Sequence, residues 1–240
     1  ALIAVGGYGR RELAPFSDLD VLLVHRGVKN IDEIASLMWY PIWDAGLKLG
    51  HAVRTPKETL QICATDLDTA TALVTARHLA GSELLAQEVI GSARDAWRQR
   101  GRTWLVTLHE RMQERYVTSG EVAFLLEPNM KEGLGGLRDI HALWWAVEAG
   151  LVLTSQDADA LKKCNETLLQ VRVALHQHTN RVGDVLHLEE QIPVAAALEY
   201  ANDDALMSAI AVAGQQVAWI ADEAWSQLDP PASASPVPQG

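Results

Sequence analysis

Cysteine is scarce in this chain, with only Cys63 and Cys164 among 240 residues. Two are too few for a disulfide framework, and their spacing fits neither a CxxC motif nor a set of metal ligands. Reduced thiols of a cytoplasmic protein are the expected state, with a single Cys63–Cys164 disulfide as the alternative. Long apolar runs are missing as well. None approaches the roughly 20 residues that span a bilayer, and no basic segment leads into an apolar one as in a signal peptide. No membrane association is therefore expected. Bases are the third deficit. Residues 182–240 hold nine acids and no Lys or Arg, which accounts for most of the net charge of −11. In residues 1–181 the 20 bases nearly balance 22 acids. A protein that tracks a nucleic-acid polymer needs a basic stripe for the backbone, and the sequence has none. The acidic C-terminal part reads as solvated helix faces. No internal repeat is present. What remains, 48% hydrophobic and 21% charged residues, is ordinary for a soluble globular protein of one or two domains.

The first 25 residues carry the most chemistry. Residues 2–5 form a short apolar run with the length of a buried strand. Gly6 and Gly7 end it, a Pro-containing loop follows, and Ser17-Asp18-Leu19-Asp20 leads into a second apolar run, residues 21–24. Side chains two apart on a strand share a face, so Asp18 and Asp20 point the same way. Two such carboxylates repel each other unless a cation lies between them. A divalent metal carrying a phosphate meets that need. The paired glycines let the backbone approach the phosphate closely. A small nucleotide with its own metal also fits the charge distribution better than DNA or RNA.

Asn30 has the spacing of an N-cap with Glu33 in a capping box, and apolar residues follow at helical intervals until Pro41, which should kink or split the helix. Residues 47–53 (LKLGHAV) read as another strand, closing a strand–helix–strand unit of α/β type. Beyond Pro56 no further strand is expected. Asp66 or Asp68 starts a helix that Gly81 stops, and residues 82–115 read as helix interrupted near Gly91 and Gly101. Residues 161–178 and 202–228 read as later helices, the last with Trp219 and Trp225 packed. His176 and His178 do not share a helix face. Together with His187 they could bind a metal, but satisfied or exposed histidines are the commoner reading. Residues 229–240 (DPPASASPVPQG) read as a linker or disordered tail.

A second informative stretch is EPNMKEGLGGLRDIHALWW, residues 127–145. Pro128, Gly133, Gly135 and Gly136 exclude regular structure there, and Asp139 can cap a helix starting at Ile140. Lys131 and Arg138 flank the glycines. Such a loop leading into a helix is a candidate anion site, and an ordinary turn with two solvated cations is the alternative.

Gly-Gly, ten residues and Asp-Leu-Asp before an apolar strand resemble the DNA polymerase β-like nucleotidyltransferases. GGYGRRELAPFSDLD is similar to one branch, the bifunctional uridylyltransferase/uridylyl-removing enzymes of bacterial nitrogen signalling, which modify a PII regulatory protein. The EPN-x-KEG-x-GGLRD run resembles the same branch, as does LLQVRVALH followed by EEQIPVAAAL. The resemblance reaches to about residue 228. It implies an α/β nucleotidyltransferase core with a small mixed sheet over residues 1–65, then an all-α helical domain over 66–228. It implies transfer of UMP from UTP to a PII tyrosine, with adenylyl transfer from ATP or a degenerate non-catalytic regulator as alternatives. Asp18 and Asp20 would hold Mg²⁺ or Mn²⁺. Gly6 and Gly7 would cradle the phosphates, helped by Arg10 and Ser17. Lys131 and Arg138 would reach the nucleotide or the PII partner from the helical side. The superfamily draws a third carboxylate from a later strand; residues 47–53 contain no acid, and Asp66 is the nearest later candidate. Family members continue on both sides of this stretch, with hydrolase and ligand-sensing domains downstream. The chain therefore reads as the transferase part of a longer protein.

Overall fold

Four consecutive apolar residues, Val21 to Val24, are all buried, as expected of a strand covered on both faces. They sit in the middle of a four-stranded sheet. In a computed structural model describing residues 1–228, the chain runs β1 (Leu2–Ala4), a single helical turn α1 (Gly6–Arg10), β2 (Leu19–Val24), α2 (Ile31–Asp44), β3 (Leu49–Arg54), α3 (Pro56–Cys63), α4 (Leu67–Val74) and β4 (Arg77–Ala80). The sheet order is β3-β2-β1-β4. β2 and β3 are parallel, joined by α2, with Asp20 opposite Gly50. β1 is antiparallel to both its neighbours. The two-residue period divides β2: Val21 and Leu23 pack under α2 against Ala35 and Trp39. Leu22 and Val24 face the main core with Ile3 and the helices after β3. Asp20 shares that second face.

Six α-helices and a closing 3-10 turn (Ser226–Leu228) complete the described residues: α5 (Glu83–Gln99), α6 (Gly101–Ser119), α7 (Leu137–Glu148), α8 (Ser155–Thr179), α9 (Leu188–Ala197) and α10 (Asp203–Trp225). Their apolar faces join those of α3, α4 and the sheet in one continuous core. Trp97 and Trp104 stack at 5.4 Å between α5 and α6, and Trp97 Nε1 donates to the Trp145 carbonyl of α7 at 2.8 Å. Cys63 and Cys164 are buried and unpaired. No described helix is long and apolar enough to cross a membrane. The stretch read as a tail, residues 229–240, lies outside the described residues.

Several local expectations are corrected. The helix starting after Asp66 ends at Val74, and the residues beyond it form β4. The free edge of β1 takes up those backbone groups, and Arg77 adds a bond to the Tyr8 carbonyl. A boundary at residue 65 would leave this strand outside the sheet it completes. Asn30 does precede α2, but it is left-handed (φ 58°) and makes no side-chain cap. A capping side chain works from an extended backbone, so no box with Glu33 forms. Pro41 neither splits nor ends α2; it is exposed, where water can reach the carbonyl it leaves without a donor. Gly91 lies inside α5, and the interruption comes at Arg100–Gly101 alone. Trp225 is buried, whereas Trp219 is 70% exposed on the outer face of α10.

Candidate functional site

A cleft of about 420 Å³ opens between the α1–β2 end of the sheet and helices α7 and α8. Gly6, Gly7, Arg10, Ser17, Asp18, Asp20, Lys131 and Arg138 all line it. The two informative stretches, far apart in sequence, thus meet at one place. Gly6 and Gly7, expected to end β1, open the single helical turn α1. Arg11 ends it in the left-handed region, and the Glu12 N–H returns to the Gly7 carbonyl at 2.9 Å, which turns Glu12 back under the cleft.

Asp20 is partly buried, Asp18 exposed. Neither carboxylate accepts a hydrogen bond or forms an ion pair among the described residues. Burial and the neighbouring Asp18 charge raise the pKa of Asp20. Two glycines make room for its carboxylate. Gly6, at φ +57°, would place a Cβ 3.0 Å from Oδ2, and a Cβ on Gly50 would overlap Oδ1. Gly50, the β3 partner of Asp20, went unnoticed in the sequence because only the register reveals it. Gly50→Ala is expected to displace the carboxylate, costing about 1–3 kcal/mol of stability and at least tenfold in Mn²⁺ affinity. The control is Gly91→Ala, whose Cβ meets nothing within 4 Å and which should stabilise α5 by up to about 1 kcal/mol. Thermal melts and a Mn²⁺ titration check both; unchanged affinity in Gly50→Ala would remove Asp20 from the metal site.

Unpartnered hard oxygen donors fit a divalent cation that keeps water and phosphate oxygens as its other ligands. No group of three or more His, Cys, Asp or Glu side chains among the described residues forms a protein-only metal cage. Asp66 does not supply a third carboxylate: it caps α4, accepting from Thr69 N at 2.7 Å, and lies outside the cleft lining. Asp68 lines the cleft but is held by Arg111 at 2.5 Å.

The cations come from the other side. Asn129 Oδ1 accepts from the Lys131 and Glu132 amides at 3.1 and 2.8 Å, folding the loop into a side-chain-closed turn. Lys131 Nζ lies 3.4 Å from Asp184 Oδ2 and Arg138 Nε 3.3 Å from Glu132 Oε1. Arg172 of α8 donates to Asp184 Oδ1 at 2.6 Å. Asp139 is not the expected N-cap, since α7 begins two residues earlier behind Gly136. It is fully buried, pairs with Arg115 and accepts from Gly135 N at 2.7 Å. Burial lifts its pKa to about 6 against the pull of Arg115.

Sequence reading missed a buried network at the base of the cleft. Glu12 accepts from Arg10 Nε at 2.8 Å and from Asn165 Nδ2 at 3.0 Å. His141 Nε2 stands 2.8 Å from Glu12 Oε2, with its N–H off the direct line. Burial works against the Glu12 charge, but His141 and Arg10 outweigh it and hold the carboxyl at about 2. Burial lowers His141 to about 4. Glu12 gave no signal beyond its place between the glycines and the aspartates, whereas His141 shares a helix face with Arg138. His176 is fully buried: Nδ1 donates to the Pro15 carbonyl at 2.6 Å, and Nε2 accepts from Gly183 N at 3.1 Å. Both ring nitrogens of His176 are therefore taken up within the fold. His187 lies 3.3 Å from Glu127.

Comparisons with known proteins identify the family. A family model described as GlnD PII-uridylyltransferase matches residues 104–225. Over 230 residues the chain is 40% identical to a bifunctional uridylyltransferase/uridylyl-removing enzyme of Streptomyces coelicolor, covering 95% of this chain and 27% of the relative. A protein of the same description from Mycobacterium tuberculosis is 37% identical over 92% of this chain and 28% of its own length. One from Cereibacter sphaeroides is 36% identical over 84% of this chain and 23% of its own length. The chain thus spans about a quarter of the length of the curated relatives it matches.

Proposed function

The chain belongs to the GlnD PII-uridylyltransferase family, and from that premise we propose that it carries out metal-dependent nucleotidyl transfer, moving UMP from UTP to a tyrosine hydroxyl of a PII-type regulatory protein. The observation that carries this reading is the meeting, in one cleft, of two unpartnered carboxylates and a set of cations from a distant loop. Asp18 and Asp20 would hold Mg²⁺ or Mn²⁺. Once bound, that ion would supply Lewis-acid stabilisation of charge on the attacking and leaving oxygens. The hydroxyl gives up its proton to solvent as its oxygen bonds to the α-phosphorus; the bond to the bridging oxygen breaks, and pyrophosphate leaves with that electron pair. Lys131, Arg138 and Arg172 offset the phosphate charge through charge-assisted hydrogen bonds. Their present partners, Glu132 and Asp184, keep the three side chains extended toward the cleft. Gly6 and Gly7 leave the cleft wall bare where the phosphates approach.

The test is an intact-mass measurement of a PII protein incubated with this chain, Mg²⁺ or Mn²⁺, and each nucleoside triphosphate in turn. A gain of one uridylyl group with UTP is expected. A gain with ATP alone reassigns the activity to adenylyl transfer, and no gain with any triphosphate overturns the reading.

A further inference from the structure

Resting on the nucleotidyl-transfer reading, a stripe of α7 identifies the part of the nucleotide that the deep end of the cleft recognises. Arg138, His141 and Trp145 all line the cleft. Spacings of three and four residues put them on one helix face, and seven residues of helix span about 10 Å. The stripe changes character along that length. Arg138, at one end, is a partly exposed cation. His141 and Trp145, at the other, are both 6% exposed, and His141 is neutral at pH 7 because burial depresses its pKa. The guanidinium of Arg10 lies 5.8 Å from the centre of the Trp145 ring, and its charge is matched by Glu12. A ligand that is anionic at one end and neutral but polar at the other matches this gradient.

The inner end holds polar atoms in want of partners. Trp145 Nε1 and both ring nitrogens of His141 are buried and make no hydrogen bond among the described residues, and only Nε2 has an acceptor close by, Glu12 Oε2 at 2.8 Å and off line. Leaving buried polar atoms unpaired is destabilising, so Trp145 Nε1 and His141 Nδ1, with no acceptor or donor of the fold beside them on the wall of one cleft, point to a ligand. Their chemistry is complementary. His141 Nε2 is within 2.8 Å of a carboxylate oxygen, which can only accept, so the neutral ring carries its proton there. Nδ1 is then a bare acceptor, while Trp145 Nε1 can only donate. The two rings are neighbours, with centroids 6.1 Å apart, and a donor and an acceptor on neighbouring side chains are the complement of a carbonyl beside an N–H. We propose that Trp145 and His141 read the imide edge of a uracil base, Trp145 Nε1–H donating to a ring carbonyl and the base N3–H donating to His141 Nδ1, with the phosphates directed toward Lys131 and Arg138.

Equilibrium binding of UTP, N3-methyl-UTP, ATP and inorganic tripolyphosphate, each with Mg²⁺, tests this. Wild type should bind UTP at least about tenfold more tightly than N3-methyl-UTP or ATP, a tenfold step being about 1.4 kcal/mol or one net hydrogen bond. Trp145→Phe keeps an aromatic ring and removes the N–H. It should lose about tenfold for UTP and nothing for tripolyphosphate. Equal wild-type affinity for UTP and N3-methyl-UTP overturns the proposal, whether or not the variant folds, and so does ATP binding as tightly as UTP. Unchanged UTP affinity in Trp145→Phe, or equal losses for UTP and tripolyphosphate, overturns it too. Failure of wild type to bind either UTP or tripolyphosphate would instead sink the transfer reading, and this subsite with it.

Discussion

Asp18→Asn and Asp20→Asn are each expected to lower nucleotidyl transfer by about a thousandfold or more, the equivalent of the several kcal/mol of charge stabilisation that a held metal supplies. Neither change should unfold the protein. Both carboxylates lack partners, and burial together with the Asp18 charge already raises the Asp20 pKa. A group whose pKa is raised by folding binds its proton more tightly in the folded state, so ionised Asp20 weakens the fold at neutral pH. Asparagine keeps the shape and removes that charge. The metal-free variants should be as stable as wild type or more stable by up to about 1 kcal/mol. If the aspartates were turn or cap residues, the signs would reverse: stability would depend on them and turnover would not. Melting temperature and turnover on the two variants separate these cases. Lost stability with retained turnover would falsify the metal-site reading.

Glu12→Ala should produce the largest loss of stability among the cleft residues, about 3–5 kcal/mol. Both Arg10 and Glu12 side chains are only 12% exposed, so truncation leaves a buried guanidinium without its counter-charge and strips Asn165 of its acceptor. A melting shift no greater than that of a surface substitution, within about 0.5 kcal/mol, would show the network to be incidental. Acid titration checks the same network. Glu12 has an ordinary pKa of 4.5 and sits at about 2 in the fold, so its contribution is present above pH 4.5 and lost as pH falls toward 2. Asp184, held below the ordinary carboxylate range by Arg172 and Lys131 in spite of burial, acts in the same sense. His141, moved by burial from 6.5 to about 4, loses its contribution as pH falls between those values. Asp139, raised by burial from 3.8 to about 6, opposes it by favouring the fold as pH falls through that range. Melting temperature should therefore change little between pH 6.5 and 4.5 and drop steeply below. Glu12→Gln should flatten the drop.

What the sequence disclosed depended on whether the determining contact was local. Gly6, Gly7, Asp18 and Asp20 stand within fifteen residues, and their order alone brings two acids to a strand entrance beside a bare backbone. The β2–α2–β3 unit was legible for the same reason, its apolar runs and helical intervals being properties of short windows. Lys131 and Arg138 were legible as cations beside glycines, but not as neighbours of Asp20. β4 was hidden because Ala76 to Ala80 continue a run without a break before Gly81, and the edge of β1, far upstream, decides their conformation. Asp139 has the composition of a cap and becomes a buried ion-pair partner only because Arg115 of α6 reaches it. Glu12 and Asp184 are unremarkable acids until the fold sets cations beside them.

The contacts that assemble the cleft also bear on when in the life of the chain it can exist. Glu12 meets Asn165 across 153 residues, and Pro15 meets His176 across 161. The sheet needs nothing beyond Ala80 for its last strand, so strand pairing can begin while most of the chain is still being synthesised. Closing loops of such length is slow, because chain entropy is lost before the contact is gained. The loop bearing Asp18 is pinned only once α8 has left the ribosome and Gly183 has reached His176. A nascent chain arrested before α8 would carry Asp20 on a formed strand and Asp18 just ahead of it, yet the cation from Arg172 and the anchor under Pro15 would be missing. Ability to hold a nucleotide should therefore arrive in a single late step, and a ligand-binding signal from ribosome-bound chains of increasing length would mark the completion of the helical half.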